Sequence, residues 1–174
     1  KKWVVVGSGY IAEEWLKALN ANQQQNVYLI GRSETCRELA KRQGVEHVIG
    51  LNSAKAKEHV ANADVCILAV SIEATSAVMQ WVADNRNFST IIVCEKPGFD
   101  FQQQLTASVQ DEGYNFHNCY VAYNRRYYDA IDKISSCILS ENLSGKLIKM
   151  RLGISENFDA IDRKKFSKSV ADNW

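Results

Sequence analysis

The sequence predicts an α/β protein: a doubly wound parallel sheet with helices on both faces, followed by the beginning of an α+β region. Three observations carry that reading. Short apolar runs alternate with longer segments of helical period as far as residue 122. The run Asp64–Val70 reads Asp-Val-Cys-Ile-Leu-Ala-Val, nearly continuous in apolar residues, as expected of a strand covered on both faces. Trp3–Val6 leads directly into Gly7-Ser8-Gly9-Tyr10-Ile11-Ala12 and then into a helical pattern, the strand–turn–helix junction that opens a βαβ unit.

The elements follow in order. Trp3–Val6 is the first strand, and Tyr10–Asn20 the first helix, with Ile11, Trp15, Ala18 and Leu19 at helical spacing. The polar tract Asn20–Asn26 is a loop, and Val27–Ile30 the second strand. Ser33 is placed to cap a helix carrying Cys36, Leu39 and Ala40, which Gly44 ends as its C′ residue. Val45–Ile49 is a third strand, Ser53–Asn62 a short helix and Asp64–Val70 the fourth strand. Ala74, Val78, Trp81 and Val82 mark the next helix, and Thr90–Cys94 a fifth buried strand. Phe101, Leu105 and Val109 recur at helical spacing, and Phe116–Ala122 closes the sheet. Beyond it the pattern changes. Tyr127, Ile131, Ile134 and Ile138 form a helical stripe, Lys146–Ile154 alternates as a strand, and Ser155–Trp174 has no clear period. The domains are therefore expected at 1–122 and 123–174, the second incomplete.

Composition narrows the function. A chain of 174 residues with net charge +1 and no basic block gives no sign of nucleic-acid or membrane-surface binding. Its apolar runs are too short to span a bilayer. The five cysteines are odd in number, without a Cys-x-x-Cys, and three fall in strands. Metal and disulfide roles are not expected, and a cytoplasmic location fits.

Gly7-Ser8-Gly9-Tyr10-Ile11-Ala12 has the Gly-x-Gly-x-x-Ala spacing that holds a dinucleotide pyrophosphate in a Rossmann domain. Gly7 permits the tight turn, Gly9 lets phosphate approach the backbone, and Ala12 lets the helix pack on the strand. Amides at the helix start face the anion. An NAD site usually has a carboxylate at the end of the second strand. Here the residues are Ile30-Gly31-Arg32-Ser33, with Arg37 one turn on. A guanidinium with a neighbouring hydroxyl suits a 2′-phosphate, so NADP(H) is expected over NAD(H). A helix-capping Ser33 beside a solvated Arg32 is the plain alternative. Val70 and Ser71, where the fourth strand ends, are placed on the same cofactor edge.

A second constellation, Cys94-Glu95-Lys96-Pro97-Gly98, follows the fifth strand and holds the only proline. It puts a carboxylate and an ammonium at the carboxyl edge of a parallel sheet, where ligands bind. An ion pair at a surface turn is the plain alternative. A third, Tyr123-Asn124-Arg125-Arg126-Tyr127, follows the last strand. With these three motifs in this order, the chain resembles the glucose–fructose oxidoreductase / inositol dehydrogenase / MocA family of NAD(P)-dependent oxidoreductases.

The resemblance implies hydride transfer between nicotinamide and a carbonyl or alcohol carbon of a sugar, cyclitol or nucleotide-sugar-like substrate. Glu95, Lys96 and Pro97 would lie beside the nicotinamide, with Lys96 binding or polarising the substrate oxygen. Asn124 and Arg125 or Arg126 would edge the same cleft, unless the arginines anchor an interdomain helix. Two departures stand out. The family's proton-transferring Asp-x-x-x-His pair is missing, and His47, His59 and His117 all fall in the first domain. After Val70 the loop reads Ser71-Ile72-Glu73-Ala74-Thr75-Ser76, without the usual Pro and His. A truncated chain is therefore expected, binding dinucleotide with little or no turnover and self-associating through an exposed C-terminal sheet edge. The competing expectation is a non-catalytic dinucleotide-binding sensor or assembly module.

Overall fold

The computed structural model describes residues 1–98, 117–123 and 129–140. The chain divides into two compact units, Lys1–Ala122 and Tyr123–Trp174.

Among the described residues of the first unit, six strands form one parallel sheet. They are β1 (Trp3–Val6), β2 (Val27–Gly31), β3 (Glu46–Ile49), β4 (Val65–Leu68), β5 (Ile91–Glu95) and β6 (Cys119–Ala122). Their order is β3-β2-β1-β4-β5-β6. The chain starts in the middle of the sheet: Val4 pairs with Tyr28 on one side and Cys66 on the other. Strand order reverses between β1 and β4, and the carboxyl ends there open a crevice.

Helices α1 (Tyr10–Ala21) and α2 (Glu34–Gln43) cover one face, and α3 (Ala54–Ala61) and α4 (Ile72–Asn85) the other. Period-two alternation divides each strand between two cores. Val5, Leu29 and Ile67 pack with Ala12, Leu16 and Leu19 of α1. Val4, Ile30 and Cys66 pack with Val60 of α3 and Val82 of α4. Every residue of β4 is buried, which explains its unbroken apolar run.

Local chemistry sets the helix ends, at Ser33 and Gly44 as expected and at Ser53 by a cap the sequence reading did not assign. Ser33 Oγ accepts from the Cys36 N–H at 3.2 Å, and Ser53 Oγ from the Ala56 N–H at 3.1 Å. Gly44 ends α2 in the left-handed conformation, φ 67°.

Some details differ from the sequence reading. The buried face of α1 is Ala12, Leu16 and Leu19, while Ile11 and Ala18 are exposed and Trp15 is half-buried. A stripe assigned one position off still matches the helical period, because residues i+3 and i+4 share a face. The fourth and fifth strands begin at Val65 and Ile91. Asp64 is exposed, and Thr90 is buried, donating from Oγ1 to the Ala63 carbonyl at 2.7 Å. The last strand begins at Cys119, because His117 and Asn118 form a turn with Asn118 at φ 58°. The stripe Phe101, Leu105, Val109 and the alternating run Lys146–Ile154 lie outside the described residues. In the second unit, α5 (Asp129–Ser140) carries Ile131, Ile134 and Ile138 of the expected stripe.

Candidate functional site

The carboxyl ends of β1 to β4, together with α4, enclose a cavity of about 720 Å³. Gly7 and Ser8 enter from the turn after β1, and Gly31, Arg32 and Ser33 from the end of β2. Val70 comes from beyond β4. These six residues are singled out by the sequence, and the fold brings them together around one cavity.

The turn after β1 is built on two close approaches. Gly7 has φ 137°, and a Cβ there would lie 2.1 Å from the Ala69 carbonyl oxygen. Only glycine lets β1 leave the sheet this close to the end of β4. A Cβ on Gly31 would lie 2.4 Å from Cys36 Sγ, so α2 packs directly on the last residue of β2. The Cys36 thiol reaches the Gly7 carbonyl at 3.8 Å, and burial pushes its pKa up to about 11. It is a neutral packing group beneath the turn, not a nucleophile. The Gly31 carbonyl accepts from Gly50 N–H at 3.3 Å, and His47 Nε2 lies 2.9 Å away. A carbonyl can only accept, so that ring nitrogen carries the proton and His47 is a structural donor.

Gly9 is different. A Cβ there meets nothing within 4 Å among the described residues, so their packing does not require glycine at this position. Gly9 is also the N-cap of α1, and no side chain among the described residues caps that helix. Its first amides are left for an external acceptor, with positive helix-dipole potential behind them. Ala12 is fully buried beneath this end, while Tyr10 and Ile11 stand exposed at the helix start. The residues therefore fit a bound pyrophosphate.

At the end of β2, Ser33 Oγ donates to Ser8 Oγ at 3.3 Å while capping α2. Arg32 is exposed, lines the cavity and forms no ion pair among the described residues. Arg37 lies outside the cavity lining and pairs with Glu34 at 3.2 Å. Ser71 is the N-cap of α4 and accepts at its carbonyl from Thr75 Oγ1 at 3.0 Å.

Sequence reasoning missed two walls. One is the loop after β3, where Gly50, Leu51, Asn52 and Ser53 line the cavity. The other is the face of α4 that presents Ala74, Ala77, Val78 and Trp81. Trp81 reads as part of the helical pattern, and Ser53 only as the start of a short helix. The available signal was topological: every residue that follows a parallel strand lies on the same edge.

Glu95, Lys96 and Pro97 lie at the end of β5, outside that cavity. Glu95 Oε1 accepts from Trp15 Nε1 at 2.6 Å. The Lys96–Pro97 peptide is cis, and Gly98 N–H closes the turn on the Glu95 carbonyl at 3.0 Å. Lys96 is exposed. Asn124, Arg125 and Arg126 lie outside the described residues. Among the described residues no group of three His, Cys, Asp or Glu is arranged to hold a metal ion. No helix among them is long and apolar enough to cross a membrane.

A parallel sheet in this order, with a glycine turn and an uncapped helix at its switch point, defines the Rossmann class of nucleotide-binding domains. Within that class the model of the shikimate / quinate 5-dehydrogenase family matches residues 1–92, more than half of the chain, and the chain belongs to that family. No curated protein sequence matches it.

Among solved structures, a Sinorhizobium meliloti protein assigned as a myo-inositol dehydrogenase aligns with TM-score 0.64 at 18% identity, over 82% of this chain and 42% of its own. The UDP-N-acetylglucosamine 3-dehydrogenase GnnA of Acidithiobacillus ferrooxidans aligns with TM-score 0.60 at 14% identity, over 78% and 42%. An NAD binding oxidoreductase of Klebsiella pneumoniae aligns with TM-score 0.59 at 16% identity, over 81% and 39%. The chain thus spans about two fifths of these structures. At such identities they share its fold.

Proposed function

We propose that this chain is the dinucleotide-binding part of an NADP(H)-dependent oxidoreductase of the kind the glucose–fructose oxidoreductase resemblance implies. The observation that carries the reading is the cavity at the glycine turn, with Arg32, Ser33 and Ser8 on one wall. Gly7 shapes the turn, and the amides of Gly9, Tyr10, Ile11 and Ala12 receive the pyrophosphate. Gly31, Val70 and Ser71 border the nucleotide. Arg32 reads the 2′-phosphate, helped by Ser33, with Arg37 in reserve on the next turn of α2.

When bound, nicotinamide supplies hydride chemistry. The chain's own part is to orient the ring and handle the substrate oxygen. Glu95 ends β5, with Lys96 and Pro97 directly after it; we assign the nicotinamide half of a dinucleotide crossing the switch point to this carboxyl edge of the sheet. Lys96 is assigned to binding and polarising that oxygen, with Asn124, Arg125 and Arg126 on the substrate side. The substrate class is a polyhydroxylated ring such as a sugar or cyclitol. The names of the matching family and of the two substrate-named neighbours support this, since each denotes oxidation of a ring alcohol. The odd number of cysteines, without a Cys-x-x-Cys, supports a reducing, cytoplasmic setting.

Calorimetric titration tests the reading. NADPH is expected to bind at least about tenfold more tightly than NADH, and Arg32→Ala to remove the difference, because a charge-assisted contact to phosphate is lost. Equal affinities in the unaltered protein overturn the NADP assignment. Binding of neither overturns the dinucleotide reading.

A further inference from the structure

The hydrogen bond between Trp15 and Glu95 joins residues 80 positions apart and belongs to neither wall of the cavity. Alternation along β5 explains how they meet. Ile92 and Cys94 pack in the core beneath α3 and α4, while Ile91 and Val93 pack against the core beneath α1 and α2. Glu95, the next residue on that second face, therefore ends the strand facing α1. Trp15 lies between Ala12 and Leu16 on α1, half-buried against the same core. From there its indole N–H reaches the carboxylate at 2.6 Å, a neutral donor on a charged acceptor. The Glu95 carbonyl in turn holds Gly98 N–H at 3.0 Å, so the base of the 95–98 turn is fixed through both side chain and backbone.

We propose that Trp15 is a positioning residue, whose indole holds Glu95 so that the 95–98 turn keeps a fixed register with α1. The helix that presents its free amides to the pyrophosphate then also sets where Lys96 leaves the sheet. Glu95 acts as the anchor of that turn, with one carboxylate oxygen committed to the indole rather than carrying protons. The inference rests on the dinucleotide reading above. It predicts that loss of the indole donor is felt by the nicotinamide half of the ligand and not by the adenosine half.

Two probes separate the halves: NADPH, and 2′,5′-ADP, which lacks the nicotinamide. Trp15→Phe keeps the ring but removes the donor, and Glu95→Ala removes the acceptor. Each is expected to weaken NADPH about tenfold, the scale of one hydrogen bond to a charged group, and to leave 2′,5′-ADP within about twofold. The double variant should bind NADPH no more weakly than either single one, because both remove the same contact. Trp15→His, which retains a ring N–H, should recover part of the loss. Should Trp15→Phe fail to fold, Glu95→Ala carries the same comparison.

Unchanged NADPH affinity overturns the proposal. So does parallel loss of both probes, which marks a merely structural contact, or a double variant in which the losses add. If the unaltered protein prefers NADH, the comparison runs with NADH and ADP. If it binds neither dinucleotide, the dinucleotide reading fails and this inference with it.

Discussion

Gly31 shows how closely a single residue joins the sheet to the site. Its missing Cβ is the space into which Cys36 Sγ packs, and that thiol supports the Gly7 carbonyl from below. Gly31→Ala forces the thiol aside and is expected to destabilise the protein by about 1–3 kcal/mol, the usual scale of overpacking. Cys36→Ala in the same chain removes the clashing sulfur, so the pair should be far from additive in urea unfolding. If Gly31→Ala costs the same with and without Cys36, that contact is not what excludes a side chain there. The sequence shows Gly31 beside Arg32 and Cys36 on the inner face of a helix, but not that they touch. That contact depends on how tightly α2 seats on β2, which no local pattern encodes.

At the scale of elements, α3 closes over the amino ends of β2 and β3 through His59. This histidine is buried, its ring 4.0 Å from that of Tyr28, and neither ring nitrogen has a hydrogen-bond partner among the described residues. Glu46 Oε1 is 4.0 Å from Nε2, while Lys2 and Lys55 lie on the same side of the sheet. Burial lowers its pKa below 6.5, assisted by Lys2 and opposed by Glu46. The unfolded chain therefore takes up the proton first as pH falls. Stability from neutral His59 is complete above about 6.5 and is lost on acidification through the lower folded value. The melting temperature should fall across that window, and His59→Leu should flatten this part of the profile. An equally steep fall in the variant would assign the effect to other groups.

The same elements show what was legible in the sequence. The cap Ser33, the left-handed Gly44 and the apolar run of β4 are local signals, and all were readable. The inward face of α1 was not, because Ile11 and Ala18 fit the period as well as Leu16 does. What decides between them is the direction of the sheet, and that is a tertiary fact.

For the molecule as a whole, the cavity is a property of strand order rather than of any one motif. Gly7 and Arg32 were visible as a site because their spacing carries a known chemistry. Asn52 and Trp81 were not, since they join that site only when β3 and α4 are placed around β1. This gives a test that leaves the glycine turn and Arg32 untouched. Ala77 lies on α4, exposed, with its side chain on the cavity wall. Ala77→Trp puts a large ring into the space assigned to the adenosine half of the ligand. An exposed helical position tolerates the change within about 0.5 kcal/mol, or roughly 2 °C in melting temperature. Binding is another matter. NADPH at about 100 times its Kd stabilises the unaltered chain by about 2.7 kcal/mol, which for a chain of this size raises the melting temperature by roughly 5–10 °C. That increment should vanish in Ala77→Trp while the unliganded melting temperature barely moves. If the full increment survives with the ring in place, the nucleotide lies elsewhere on the sheet edge, and the wall formed by α4 and the loop after β3 is not part of its site.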